Sequence, residues 1–269
     1  MFFILQKEGK YIDNQEVFVM NDILRRHTYI HEHSMMGMNE MSSQSFLSGI
    51  KEIEKAIPIG SIEFVQAYLT NVHGIETMSP IEIPECLREE EFVKRDYRIV
   101  EKKELPKAGY HFTKYVSNLK YIHHRGMIEE LHNAQKGGEP LLKKGLYQVS
   151  EVVDFIVEYR CFVMEGKIMG IQYYEGDCTV FPSEQDMNTL KKMIERYQAD
   201  PTHPLAYTLD IGIIKDRGLA LIECHTHVSV GLYGLQGNFL LHSYRYGLDW
   251  YIKHNIALQP FHLSYLGSS

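Results

Sequence analysis

Residues 205–228, LAYTLDIGIIKDRGLALIECHTHV, set two strand-like runs on either side of Lys215-Asp216-Arg217-Gly218 and put an acid in the middle of each. Apolar positions alternating over short runs specify half-buried strands, and a turn of this composition between them specifies an antiparallel hairpin. With the turn centred between Asp216 and Arg217, Asp210 stands directly opposite Glu223. Side chains paired in this way have Cβ atoms about 5 Å apart, and two carboxylates repel there unless positive charge lies between them. A hard divalent cation supplies it, because Mg²⁺ characteristically takes one or two carboxylates together with phosphate oxygens. Thr208, His225 and His227 fall on the same face, while Leu209, Ile211, Ile213, Ala220 and Ile222 form an apolar face for the core. One hairpin must therefore carry a core on one side and a site on the other.

The patterns just upstream extend the same sheet. DFIVEYRCFVM, residues 154–164, has period two, with Phe155, Val157, Tyr159, Cys161 and Val163 on one face and Glu158 and Arg160 on the other. Glu165-Gly166 reads as a two-residue turn into KIMGIQYYEGD. Ser183 and Asp186 form a capping box for a helix whose one side carries Met187, Leu190, Ile194 and Tyr197. In the first third, EVFVM and SIEFVQAYL read as strands and FLSGIKEIEKAI as the helix between them, with Phe46, Leu47, Ile50, Ile53 and Ile57 on one face. That order suggests an α/β unit. Prolines Pro80 and Pro84 and the charged run after them place a boundary near residue 88, giving an N-terminal α/β domain over 1–88 and a second domain over 89–269.

Composition narrows the function. With 28 basic against 35 acidic residues the formal charge is −7, which argues against a nucleic acid as the main partner, since neutralising phosphates needs a basic surface. The run MFFIL is too short for a signal-peptide core and nothing approaches a membrane span, so the expected location is cytoplasmic. The four cysteines, Cys86, Cys161, Cys178 and Cys224, include no CxxC pair and read as reduced thiols.

A strand hairpin, a helix and a second hairpin with an acid on each strand resemble the C-terminal half of an ATP-grasp domain. Asp210, Glu223 and His225 stand where that family has its metal-binding Asp and Glu-x-Asn, with a step like that of D-alanine ligases. VSEVVDFIVEYRCFV is similar to the family's hinge strand. This implies that Glu151, Val152 and Val153 offer backbone groups to adenine and that Glu158 binds ribose. GYHFTKYVSNLKYI is similar to the strand whose lysine touches the ATP phosphates, which points to Lys114, with Lys120 as the second candidate. The glycines Gly137 and Gly138 of AQKGGEP resemble a cover over the phosphates. PIGSIEFVQAYL, EYRCFVMEGKIMGIQYYEGD, YTLDIGI and GLYG together resemble a clade of ATP-grasp proteins from bacteria and phages.

The resemblance implies an ATP-grasp fold, an antiparallel nucleotide-binding domain after the N-terminal one, with ATP and Mg²⁺ as cofactors and Mn²⁺ as the alternative ion. The implied activity is a ligase that activates a carboxylate as an acyl phosphate and joins it to an amine on a small molecule or peptide, with Lys114 and Arg160 as catalytic cations. Two departures stand out. His225 replaces the family's asparagine, and Thr208 occupies the place of a phosphate-binding arginine, a charge that Arg160 can supply instead. Three competing functions remain beside this one. They are a zinc or manganese hydrolase ligated by Glu223, His225 and His227, nucleotidyl transfer through Lys114, and a nucleotide-binding module without turnover. Cys224 and His227 otherwise read as structural, His123 and His124 as surface, and Glu63 as a substrate-site acid costly to bury without a ligand.

Overall fold

The apolar run at the N-terminus forms the centre of a sheet. In the computed structural model, which describes residues 1–7, 15–27, 31–76, 78, 82–116 and 122–257, the chain opens with β1 (Phe2–Gln6), α1 (Gln15–Arg26) and β2 (Glu32–Met36). Two one-turn helices follow, α2 (Met38–Met41) and α3 (Gln44–Leu47), then β3 (Ala56–Ile59) and α4 (Ile62–His73). The three strands are parallel in the order β2-β1-β3. Phe3, Ile4 and Leu5 are wholly buried, as a central parallel strand covered on both faces requires. Pro58 sits on the edge strand β3, one of the few places in a sheet where proline is tolerated.

The α/β character of this part agrees with the sequence reading, but its elements do not. EVFVM lies in α1 and SIEFVQAYL in α4, so both expected strands are helices. Val17, Met20, Ile23 and Leu24 are buried at a helical spacing that runs well past the five-residue window. Ser61 caps α4 by accepting from the Phe64 N–H at 3.3 Å, and Gly74, at φ 69°, closes it. The expected helix over FLSGIKEIEKAI is instead α3, a 3₁₀ turn at Ile53–Lys55 and β3, because Ala56 and Ile57 pair with β1. Glu63 lies in the first turn of α4 and is exposed, so the burial cost argued for it does not arise.

Next come α5 (Glu90–Val93), β4 (Tyr97–Glu101), β5 (Tyr110–Tyr115), β6 (His123–Met127) and α6 (Ile128–Asn133). A small hairpin of β7 (Gln135–Lys136) and β8 (Glu139–Pro140) precedes β9 (Leu146–Ser150). The hairpin turns on Gly137 and Gly138, both at positive φ. The antiparallel sheet has the order β4-β9-β5-β6.

The last part holds β10 (Phe155–Met164), β11 (Lys167–Gly176), α7 (Glu184–Gln198), β12 (Ala206–Ile214), β13 (Gly218–Thr226) and α8 (Leu240–Ala257). Its sheet runs β11-β10-β12-β13, antiparallel throughout. Glu165 and Gly166 both take positive φ, as a primed two-residue turn demands. The capping box forms: Ser183 Oγ accepts from the Asp186 N–H at 3.2 Å, and the Ser183 N–H donates to Asp186 at 2.9 Å. Leu190, Ile194 and Tyr197 of α7 pack over Val157, Cys161, Leu209 and Leu221 of the sheet. Helix α8 returns to the first sheet, and its Leu240, Leu241, Tyr244 and Leu248 share one core with Phe3, Met20 and Phe64. No helix among the described residues is long and apolar enough to cross a membrane.

That core contains an acid. Glu16 on α1 is buried beside Tyr244, and burial drives its carboxyl well above the usual range, only partly offset by Tyr244 and Arg160. A carboxyl raised in the folded state holds its proton after the unfolded chain has released its own. Its favourable contribution is therefore full below about pH 4.3 and is lost as pH rises towards the folded value. Glu16→Gln is expected to leave the melting temperature unchanged near pH 4 and to raise it by roughly 2–6 °C at pH 8, about 1–2 kcal/mol. Thermal melts of both proteins across that range check it, and an equal shift at both ends would contradict it.

Candidate active site

Asp210 and Glu223, expected opposite one another, are partners in the ladder. The route to that pairing differs from the one the turn suggests. The hairpin closes with Ile214 opposite Gly218, so the loop holds three residues, and the register runs unbroken to Ile211 opposite Leu221. One extra residue, Ile222, then shifts the pairing before Asp210 meets Glu223. The bulge also corrects the faces. Leu219 and Leu221 enter the core with Leu209 and Ile211, whereas Ile222 turns towards the cleft described below. A second register shift, between Phe155 and Val157, likewise moves Phe155 from the expected core face to the cleft.

Across the sheet, Arg160 on β10 pairs with Asp210 on β12, which pairs with Glu223 on β13. A row of one cation and two anions results. Arg160 grips Asp210 with both prongs, Nε to Oδ1 and Nη2 to Oδ2, each at 2.7 Å. Its Nη1 donates to the Gly231 carbonyl at 3.3 Å, and the rings of Tyr233 and Tyr174 lie 5.1 and 5.9 Å from it. Asp210 is only 2 % exposed. Burial works against the Arg160 charge, but the Asp210 pair overcomes it and holds the guanidinium above its ordinary value.

From the facing sheet, Lys114 on β5 reaches Glu223, Nζ to Oε2 at 2.5 Å. Burial would raise the Glu223 carboxyl, but His225, Lys114 and His123 outweigh it and hold the group at about 2. Burial pushes the His225 imidazole below its ordinary value against the pull of Glu223 and Asp210. Lys114 is the cation bonded directly to Glu223. His225 Nε2 lies 3.5 Å from Glu223 Oε2 and 3.8 Å from Asp210 Oδ2. Asp210, Glu223 and His225 thus offer two carboxylate oxygens and one ring nitrogen, all within 4.8 Å of one another. Such a donor set fits a divalent cation of the Mg²⁺ or Mn²⁺ type.

Between the two antiparallel sheets lies a cleft of about 240 Å³. Lys114 and Glu223 line it together with Phe112, Phe155 and Ile222 and with Glu151, Val152 and Val153, which join the sheets. Gly212 permits this floor, since a Cβ there would come within 2.5 Å of Phe155 and 3.1 Å of Ile222. Glu158 lines the cleft and accepts from the Tyr174 hydroxyl at 2.5 Å. Burial raises its carboxyl, Tyr174 opposes that, and Glu175, Asp210 and Glu223 add to the rise. The Glu151 side chain turns outward to a two-pronged pair with Arg217, at 2.8 and 2.9 Å, and its N–H donates to the Asp96 carbonyl. Glu151 therefore has its carbonyl, not its N–H, to give a base.

Of the remaining expected residues, Lys120 lies outside the described residues. His227 is not brought to the metal-type cluster. It follows the end of β13, is 1 % exposed between the rings of Phe162 and Tyr244, and burial drives it down to about 3. The Glu223, His225, His227 ligand set is thereby overturned. Cys224 is buried opposite Leu209 in the core. His123, read as a surface residue with a place near substrate as the alternative, is exposed and lines the cleft opposite Lys114 in the ladder. Sequence reasoning missed Arg95, Phe112 and Phe155. Phe112 was detectable, since it shares a strand face with Lys114 two residues on; Arg95 and Phe155 depend on contacts and a bulge that no local pattern carries.

Residues 90–242, more than half of the chain, match a family described as an ATP-grasp domain, the second family of its clade. No curated protein matches the chain. Among solved structures, D-alanine–D-alanine ligase from Bacillus anthracis complexed with ATP aligns with a TM-score of 0.53 at 15 % identity, covering 96 % of this chain and 98 % of that one. A second structure of that ligase gives 0.51 at 14 %, with the same coverage. An ATP-grasp RimK domain protein from Sphaerobacter thermophilus DSM 20745 gives 0.49 at 12 %, covering 96 % and 100 %. At 14–15 % identity the likeness to the two D-alanine–D-alanine ligase structures concerns the fold alone.

Proposed function

The chain belongs to the ATP-grasp superfamily, and from that premise we propose that it is an ATP-dependent ligase joining a carboxylate to an amine. The observation that carries the proposal is the convergence of Lys114, from one sheet, on the Arg160–Asp210–Glu223 row of the other, with His225 beside it. Phosphoryl transfer asks for positioning and positive charge along the phosphates more than for covalent chemistry by the protein. A divalent ion held by Asp210, Glu223 and His225 would neutralise charge on the phosphates.

The carbonyl of Glu151 and the backbone of Val152 and Val153 bind adenine between Phe155 and Ile222, and Glu158 binds the ribose. Lys114 exchanges Glu223 for phosphate oxygens when nucleotide enters, and Arg160 fixes Asp210 and adds positive charge near the γ-phosphate. An oxygen of the substrate carboxylate attacks the γ-phosphorus, the bond to the β–γ bridging oxygen breaks, and ADP leaves. The amine then attacks the acyl carbon, the C–O bond to phosphate breaks, and the amine's proton passes to solvent as phosphate departs. The two-sheet enclosure keeps water from the acyl phosphate. We assign residues 1–88 to the substrate side, where a small molecule or peptide is received.

A panel of carboxylic acids and amines with MgATP tests the reading. ADP release that needs both an acid and an amine is the expected result. A protein-bound AMP, seen as a mass increment on the intact chain, would point to nucleotidyl transfer through Lys114 instead. A rise in melting temperature with MgATP but no turnover on any pair would favour a binding module.

A further inference from the structure

The bulge at Ile222 decides where Glu223 points. Were the register of the turn continued without it, Asp210 would face Ile222 and Glu223 would stand opposite Leu209, on the side that packs into the core. The extra residue turns Glu223 to the cleft and brings His225 to the side of Asp210. Nothing in the hairpin itself explains why the extra residue is accommodated there, since β13 is an edge strand and, among the described residues, no further strand pairs its outer groups.

Arg95 meets those groups. It lies between α5 and β4, is 8 % exposed, and its guanidinium sits 5.7 and 5.8 Å from the rings of Tyr97 and Phe155. Nη1 donates to the Leu221 carbonyl at 2.7 Å and to the Val93 carbonyl at 2.9 Å, and Nη2 donates to the Ile222 carbonyl at 3.4 Å. Successive carbonyls in a regular strand point to opposite edges. A fork reaching two in a row therefore fits only the distorted backbone, and the rigid five-donor geometry of arginine suits it where the single ammonium of lysine does not. We propose that Arg95 is a positioning residue that holds the bulge and thereby presents Glu223 and His225 to Asp210. This deepens the ligase reading and rests on it for its consequence, while the register itself can be read separately.

Two measurements test it on the full chain with Arg95→Met, and with Arg95→Lys should the first variant not fold. Thr208 stands opposite His225 with the bulge and would stand opposite Cys224 without it. Thr208→Cys combined with His225→Cys should oxidise to a 208–225 disulfide when Arg95 is intact. Thr208→Cys alone should form a 208–224 disulfide only when Arg95 is replaced, as mapped by peptide mass. Persistence of the 208–225 bridge, with no 208–224 bridge, in the Arg95 variant would overturn the proposal. Mn²⁺ affinity without nucleotide, read by electron paramagnetic resonance, should fall at least about tenfold in Arg95→Met and less in Arg95→Lys. A phosphate-binding role would weaken ATP while leaving Mn²⁺ alone unaffected, and a merely stabilising role would lower the melting temperature with both readouts unmoved; either result refutes positioning. If the unaltered protein binds neither Mn²⁺ nor MgATP, the ligase reading fails and the disulfide arm still decides the role of Arg95.

Discussion

Glu223→Gln is expected to abolish Mn²⁺ binding and to cut ATP turnover by about 100-fold or more, which corresponds to roughly 2.7 kcal/mol of lost transition-state stabilisation. The amide keeps the shape of the side chain and removes the charge. That charge is present throughout the working range, because the folded carboxyl titrates at about 2. A depressed carboxyl contributes stability above about pH 4.3 and loses it as pH falls towards 2, so at neutral pH the full contribution is at stake. Lys114 would meet a neutral amide oxygen in place of the carboxylate it touches at 2.5 Å. Glu223 retains 30 % side-chain exposure, so solvent replaces part of what is lost and the stability cost should stay near 1 kcal/mol. Electron paramagnetic resonance of Mn²⁺ and circular dichroism separate the two effects. Retained Mn²⁺ affinity in a folded Glu223→Gln protein would remove Glu223 from the ligand set.

Arg160→Met should have the larger effect on stability. Asp210 and Arg160 have side chains 3 % and 10 % exposed and share two bonds of 2.7 Å, so deleting the arginine strands a buried carboxylate. Breaking a buried pair from one side costs about 3–5 kcal/mol, a fall of roughly 10 °C in melting temperature for a chain of this size. The double variant Arg160→Met with Asp210→Asn should recover part of that loss, because the unpaired charge goes with its partner. Millimolar Mn²⁺ should also restore part of it in the single variant and none in the double one. Melting temperatures of the three proteins, with and without Mn²⁺, decide the matter. A drop of only a degree or two in Arg160→Met would mean that Asp210 finds its compensation elsewhere.

The sequence was most legible where pattern and chemistry coincide within one hairpin. The turn at Glu165-Gly166 and the capping box at Ser183 follow from contacts between residues close in sequence, whose geometry is set by turn and capping chemistry, whereas Asp210 meets Glu223 only because the bulge at Ile222 offsets a turn centred on Asp216 rather than between Asp216 and Arg217. The N-terminal elements were misread for the converse reason. EVFVM and SIEFVQAYL are rich in residues that suit strands, and only the longer spacing of Val17 to Leu24, or Ser61 and Gly74 at the ends of α4, marks them as helices.

By itself the chain's sequence determined that each strand of one hairpin would carry a carboxylate among apolar neighbours and that two such carboxylates brought face to face need a cation, since alternation and like-charge repulsion are local physics. Tertiary structure alone decided which cations those are and which way Glu223 turns. Lys114 arrives from a different sheet, 109 residues away, and Arg95 reaches the bulge from 126 residues away. A single inserted residue reverses the facing of every side chain beyond it, and whether the strand accepts that residue depends on a donor for its freed carbonyls that only the folded chain brings near.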